Sequence, residues 1–274
     1  MPLTTTPARP GTPSDAAPVT RGFGSLLLRG LLAGLIAGLL AGAFAFTFGE
    51  THVDAAIAIE EAAAAASTPD AGAAVDAAVA EEEPLVSREG QKAGLVLATS
   101  LYGIAVGGIL ATAYALLRRR LRTPNDSRAA LSLAGAALLG AVVVPFLKYP
   151  PNPPAVGDPS TIDQRTWSYL AALVLGLIAV WAAVIAARTQ HTEWRRAAAG
   201  AAAFLVVVTV AYLMLPSIDE VPTTFPPSLL WNFRITSLGV QTVLWTVLGL
   251  AFAALVAPAR PAPAAAAAAP SAAA

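Results

Sequence analysis

The chain has 274 residues, of which 56% are hydrophobic and 12% charged, with seventeen basic residues balancing seventeen acidic ones at a net charge of zero. A soluble globular domain carries about 25% charged residues, so the chain does not read as one soluble core, and no nucleic-acid partner is expected. The lack of cysteine removes disulfides, thiolate metal ligands, iron–sulfur clusters and cysteine nucleophiles together.

Residues 1–22 are rich in Pro, Thr and Ala without apolar periodicity and read as a disordered tail. Six apolar runs follow: Gly30–Phe48, Ala93–Leu117, Ala129–Leu147, Ser168–Ala187, Ala197–Leu215 and Ile235–Ala257. A bilayer core about 30 Å thick needs ~20 helical residues. In hydrocarbon each backbone amide must be paired within its own segment, so each run is expected to be a spanning helix. Residues 23–257 then form one all-α membrane domain of about six helices, and 258–274 form a second disordered tail.

The first run is preceded by Arg21 and Arg29 and contains Ala43-Phe44-Ala45, which imitates a signal-peptide cleavage site. Its apolar stretch exceeds the ~7–15 residues of a signal core, which favours an uncleaved anchor. Gly30, Gly34, Gly38 and Gly42 recur every fourth residue along it, and Gly103 and Gly107 offer a shorter face on the second run. Such stripes let helix backbones approach closely, against a neighbouring helix of the chain or against another subunit.

Residues 49–92 are expected to be an acidic external loop, the longest and most charged connection. Its carboxylates and single imidazole suit a hard or borderline divalent cation. The candidate metal ligands are Glu50, His52, Asp54, Glu60 and Glu61, with Asp158 from a later connection. In a helix Glu50 and Asp54 would share one face and His52 would point elsewhere. The competing reading is a solvated loop whose acidity only follows topology.

The spans contain almost no ionisable side chain. Neutral polar residues occur instead, and Ser237, Gln241 and Trp245, spaced by four, mark one face of the last helix as a hydrogen-bonding seam or a polar pathway lining. No Walker A, HExxH, GxSxG or glycine-rich nucleotide fingerprint is present. An enzyme is not expected, nor a bound cofactor.

Between the third and fourth runs, residues 145–159 hold six prolines, which forbid a regular helix and favour a stiff extended path. Pro145 is expected to break the third helix, as is tolerated where the break lines a cavity or is buried. The segment reads as a rigid spacer or as a vestibule carrying Lys148, Asn152, Asp158 and Arg165.

Orientation follows from Lys and Arg. With both termini in the cytoplasm, twelve of the seventeen basic residues fall inside, with only Asp15, Asp126 and Glu193 among the acids. The balance is +9 inside and −9 outside, and the positive-inside rule predicts N-in/C-in with six spans.

The stretch Val144-Pro-Phe-Leu-Lys-Tyr-Pro-Pro-Asn-Pro-Pro-Ala-Val-Gly-Asp-Pro159, followed by Gln164-Arg165-Thr166, resembles actinobacterial members of the CbtA family of predicted cobalt transporter subunits. The resemblance extends to Val86-Ser-Arg88, to Leu101-Tyr-Gly103 with Gly107-Gly108, and to Leu230-Trp-Asn-Phe-Arg234, covering about residues 23–257. It implies a multi-pass subunit in the plasma membrane that carries Co²⁺ inward for cobalamin synthesis. It also implies a small partner, CbtB, with one span and a histidine-rich terminus. The alternatives are transport of another metal or another cobalamin-pathway substrate, or a non-transporting scaffold for the partner.

Overall fold

The computed structural model describes residues 22–67, 86–121 and 123–257. Both terminal tails and residues 68–85 of the acidic connection, with the expectations placed on them, lie outside the described residues. All six apolar runs are helical, each within a helix long and apolar enough to cross a membrane. No strand occurs among the described residues.

Helix α1 (Phe23–Phe44) runs through a π-helical turn (Ala45–Gly49) into α2 (Glu50–Ser67), so the first helix extends far beyond the span expected for it. The acidic connection is therefore not a loop over its first eighteen residues. Two causes are local and tertiary. Alanine and glutamate are strong helix formers, and Ala56 and Ile59 pack against Val156, Val221 and Phe225 of the proline-rich end. Helix α3 (Arg88–Leu117) starts under a Ser87 cap, whose Oγ accepts from Gly90 N. The third span comprises α4 (Asp126–Ala137), a π-helical segment (Leu138–Val143) and α5 (Val144–Lys148). A short 3₁₀ turn (Pro159–Thr161) leads into α6 (Ile162–Arg188), and α7 (Glu193–Met214) and α8 (Pro227–Val256) complete the bundle.

Pro145 does not break the third span as expected. It sits buried one residue into α5, directly after the π-helical segment. A proline lacks the amide that would bond four residues back and crowds that carbonyl; the widened turn relieves the clash without stopping the helix. Beside the proline, the Tyr212 hydroxyl donates to Val144 O at 2.5 Å.

The core is built from small residues of α1 and α4 set against large ones of α3 and α8. Ala33, Ala37, Ala41, Ala129 and Ala130 face Leu110, Tyr114, Leu248 and Phe252, all buried. Tyr114 and Phe252 meet edge-to-face at 5.3 Å. The glycine stripe of α1 lies on α3: a methyl built on Gly34 would collide with the Gly103 carbonyl, and one built on Gly107 with that of Gly30. A second crossing of this kind joins the π-helical segment to α6, where Gly140 and Gly176 exclude a side chain on each other. Helix α7 packs mainly along α6 and leaves Leu205, Val206, Val210, Leu213 and Met214 exposed. With no water to be excluded in hydrocarbon, such a face costs nothing there.

The bundle has two unlike ends. One carries the α3–α4 and α6–α7 connections, where Arg118 bonds Asp126 at 2.7 Å and Arg188 donates to Arg120 O. The other carries α2, the proline-rich segment and the α7–α8 connection.

Candidate functional site

At the proline-rich end a cavity of about 690 Å³ opens between α3, the third span, α6 and α8. Tyr149 to Asn152 form part of its rim, with residues 218–221 opposite. Below them it descends along α8 past Arg234, Ser237 and Gln241 to Trp245. Eleven residues of helix separate Arg234 from Trp245, about 16 Å at ~1.5 Å each. Trp245 stands eighteen residues into the thirty-residue α8, so the floor lies deep inside the bundle.

The rim is pinned by charged side chains that bond mainly to the backbone of distant segments. Arg234 donates to Asn152 Oδ1 at 2.9 Å and to Pro151 O at 3.4 Å. Lys148 Nζ donates to Tyr212 O at 3.1 Å, and the Tyr149 hydroxyl to Pro216 O at 2.7 Å. Arg165 pairs with Glu220 at 3.2 Å and donates to Asp158 O. Glu220, only 7% exposed at its side chain, also accepts from the Thr161 hydroxyl and from Asp158 N. Gly157 holds φ at 143°, where a side chain would be strained and would press on the Arg165 guanidinium at 2.8 Å.

Three buried polar atoms on the cavity lining have no hydrogen-bond partner: Arg165 Nε, Gln241 Oε1 and Trp245 Nε1. Buried polar groups are nearly always paired; these three have almost no exposed surface of their own, and their residues line one cavity. The face of Ser237, Gln241 and Trp245 is thus a cavity wall rather than a closed hydrogen-bonding seam.

The metal-ligand candidates are distributed differently. Glu50 and Asp54 do share a helix face, and both bind Arg88, at 2.5 and 2.7 Å; Lys92 adds a contact to Asp54 at 3.1 Å. These carboxylates tie the α2 extension to the start of α3. His52, half-buried, takes no part in the ion pairs, and Glu60 and Glu61 are exposed. Asp158 sits on the other side of the rim, where its Oδ1 accepts from Ser160 N and Oγ. Those two bonds hold its carboxyl below the usual range against an opposing desolvation, with a lesser contribution from the charge of Arg165. Among the described residues no group of three or more His, Asp or Glu gathers to hold a metal ion.

Sequence reasoning placed Lys148, Asn152, Asp158 and Arg165 at a vestibule; Lys148, Asn152 and Arg165 line the cavity and Asp158 does not. It missed Asp219 and Glu220. The available signal was a pair of carboxylates in a short connection otherwise bounded by prolines, Pro216-Ser-Ile-Asp-Glu-Val-Pro222.

A family model described as "Probable cobalt transporter subunit (CbtA)" matches residues 23–257. That range takes in all six spans and every residue of the cavity. No curated protein and no solved structure matches the chain.

Proposed function

The chain belongs to the CbtA family, and we propose that it is the membrane-spanning subunit of a Co²⁺ uptake system that supplies cobalamin synthesis. The observation that carries this reading is the cavity. It opens at one end of the bundle and stops at a polar floor deep between the helices, as expected for a substrate path halted partway across. In the proposed setting the chain lies in the plasma membrane with both termini in the cytoplasm, and the proline-rich end faces outward. The Arg-rich connections then lie inside, in keeping with the positive-inside rule.

The acidic extension is proposed as the collecting element. Glu60 and Glu61 are exposed and form no ion pair among the described residues, so they can raise the local cation concentration. Glu50, Asp54 and Asp158 would contribute only by exchanging Arg88, Lys92 or Ser160 for metal, and His52 is the nearby imidazole. A small histidine-rich single-span partner of the CbtB type is proposed to supply further imidazole, since the chain has only two histidines.

Radiocobalt uptake by cells with and without the gene tests the reading. Deletion should abolish gene-dependent uptake at limiting cobalt, and uptake unchanged by deletion would overturn it. Neutralising Glu50, Asp54, Glu60 and Glu61 together, with His52→Ala, should raise the half-saturating concentration several-fold at equal surface expression. An unaltered value would reduce the acidic extension to a structural brace.

A further inference from the structure

We propose that the cavity takes its metal as a chelate of a small carboxylated organic ligand, and that the bare aqua-ion is not what it recognises. The step from anion to metal chelate rests on the transport reading above; the recognition of a carboxylate does not.

Size is the first argument. A divalent ion with six waters occupies roughly 200 Å³, taking ~30 Å³ for each water. The cavity, at about 690 Å³, has the volume of a small-molecule site, which is ~300–1,000 Å³.

Charge is the second. Lys148, Arg165 and Arg234 line the cavity against Asp219 and Glu220. Arg165 and Glu220 neutralise each other. Lys148 and Arg234 donate only to neutral oxygens, those of Tyr212, Pro151 and Asn152. Asp219 makes no ion pair among the described residues; its Oδ1 accepts from Val221 N. Asp219 acts on Arg234 at longer range, so among the described residues Lys148 is the one cation of the lining left without a carboxylate opposite it. The lining carries three basic and two acidic side chains and no histidine, and its carboxylates already face Arg165 and Arg234, so an anion is better matched there than a bare divalent cation. A carboxylate suits a guanidinium and an ammonium.

The floor is the third argument and is independent of the other two. Trp245 is 8% exposed and its Nε1–H is unpartnered. An indole can only donate, so a ligand that reached this atom would present an acceptor oxygen, and a metal ion cannot bind there. Gln241 Oε1, one helical turn nearer the rim and also unpartnered, is an acceptor that a ligand hydroxyl would satisfy. Carboxylate and hydroxyl together make a hydroxycarboxylate, the class of small polydentate oxygen chelators. Rim and floor lie about 16 Å apart along α8. A small chelate would meet Lys148 and Arg234 first and the Gln241–Trp245 floor afterwards.

The test uses the full chain, purified in a neutral detergent and titrated by calorimetry with three probes: citrate, Co(II)–citrate, and CoCl₂ in chelator-free buffer. Citrate and Co(II)–citrate should bind, and CoCl₂ alone should bind more weakly. A lost hydrogen bond to a charged group weakens binding about ten-fold or more, and that loss is expected for Lys148→Gln and Arg234→Gln. Trp245→Phe keeps the ring and removes the donor, and should weaken both citrate probes several-fold. Arg234 also fastens the rim, so each variant's melting temperature is measured. If Arg234→Gln does not fold, Lys148→Gln and Trp245→Phe decide.

The proposal is overturned if folded wild-type protein binds CoCl₂ more tightly than either citrate probe, or if citrate affinity is unchanged in Lys148→Gln and Trp245→Phe. Loss of citrate binding with radiocobalt uptake intact would remove this inference and leave the transport reading. Citrate binding without any gene-dependent uptake would do the reverse.

Discussion

Glu50 is 13% exposed at its side chain, Arg88 32% and Asp54 45%, so the three-residue cluster spans the range from near-burial to open solvent. An exposed ion pair is worth about 0.2–1 kcal/mol. A carboxylate left unpaired in a buried position costs more, about 1–3 kcal/mol. Arg88→Gln should therefore destabilise the protein by about 1–2 kcal/mol, through the stranded Glu50 rather than through Asp54, which solvent screens. The double variant Glu50→Gln with Arg88→Gln should recover most of that loss, because no unpaired charge remains. Thermal melting of the four members of the cycle gives the coupling directly. Equal stability of wild type and Arg88→Gln would show that this cluster does not brace the α2 extension. The pairing of Glu50 with Asp54 on one helix face was legible from their spacing of four. That Arg88, thirty-eight residues from Glu50, would occupy both was not, because the intervening chain carries no pattern that dictates its return path.

The elements are held together where side chains are missing. Along α1 the glycine period predicted a close approach but left its partner open between this chain and another subunit. The partner is α3 of the same chain, where Gly103 and Gly107 complete the crossing: a methyl on Gly103 would lie 2.7 Å from Gly38 Cα. In lipid such contact is among the main forces between helices. Gly34→Leu should drive α1 and α3 apart and cost at least the ~1–3 kcal/mol of an overpacked core, seen as lower folded yield and an earlier melt in detergent. Gly135, also helical, has open space around the position of a methyl. Gly135→Ala should be neutral or stabilising by up to about 1 kcal/mol. Matching behaviour of the two variants would remove the packing role of the stripe. The crossing of Gly140 with Gly176 was not visible beforehand, since Gly176 is single in its helix and Gly140 has only Gly135, five residues away, which makes no four-residue repeat.

Over the whole molecule the unlike ends carry the proposed orientation. Arg118, Arg119, Arg120, Arg128, Arg188, Arg195 and Arg196 cluster in or beside the two connections at one end, away from the acidic extension and the cavity rim. Reporter fusions at Ala155 and Asp70 should be active only as external reporters, and fusions at Thr123 and Thr192 only as cytoplasmic ones. A cytoplasmic reporter active at Ala155 would invert the assignment and place the cavity mouth inside the cell. Uptake would then have to begin at the opposite end. The exposed apolar face of α7 and the exposed Trp167, Trp181, Trp194 and Trp231 suit a surface bathed in lipid, with aromatic side chains near both ends.

The number, type and approximate limits of the spans were determined by the sequence alone. A helix in hydrocarbon satisfies its own backbone, so its existence depends only on local composition and length. The family motif was local as well, because it lies in one continuous proline-rich stretch. Tertiary structure alone decided what those residues do. The proline-rich segment becomes a rim only because Arg234, eighty-two residues from Asn152, reaches back to it, and because Glu220 closes on Arg165. Glu50 and Asp54 look like neighbouring metal ligands in one dimension, and in three they pair with Arg88 and Lys92. The polar floor exists only because several helices, far apart in the chain, leave room beside Gln241 and Trp245. Pairings over such separations depend on how the helices cross, and those crossings are set by packing over the whole bundle, which no short window of sequence records.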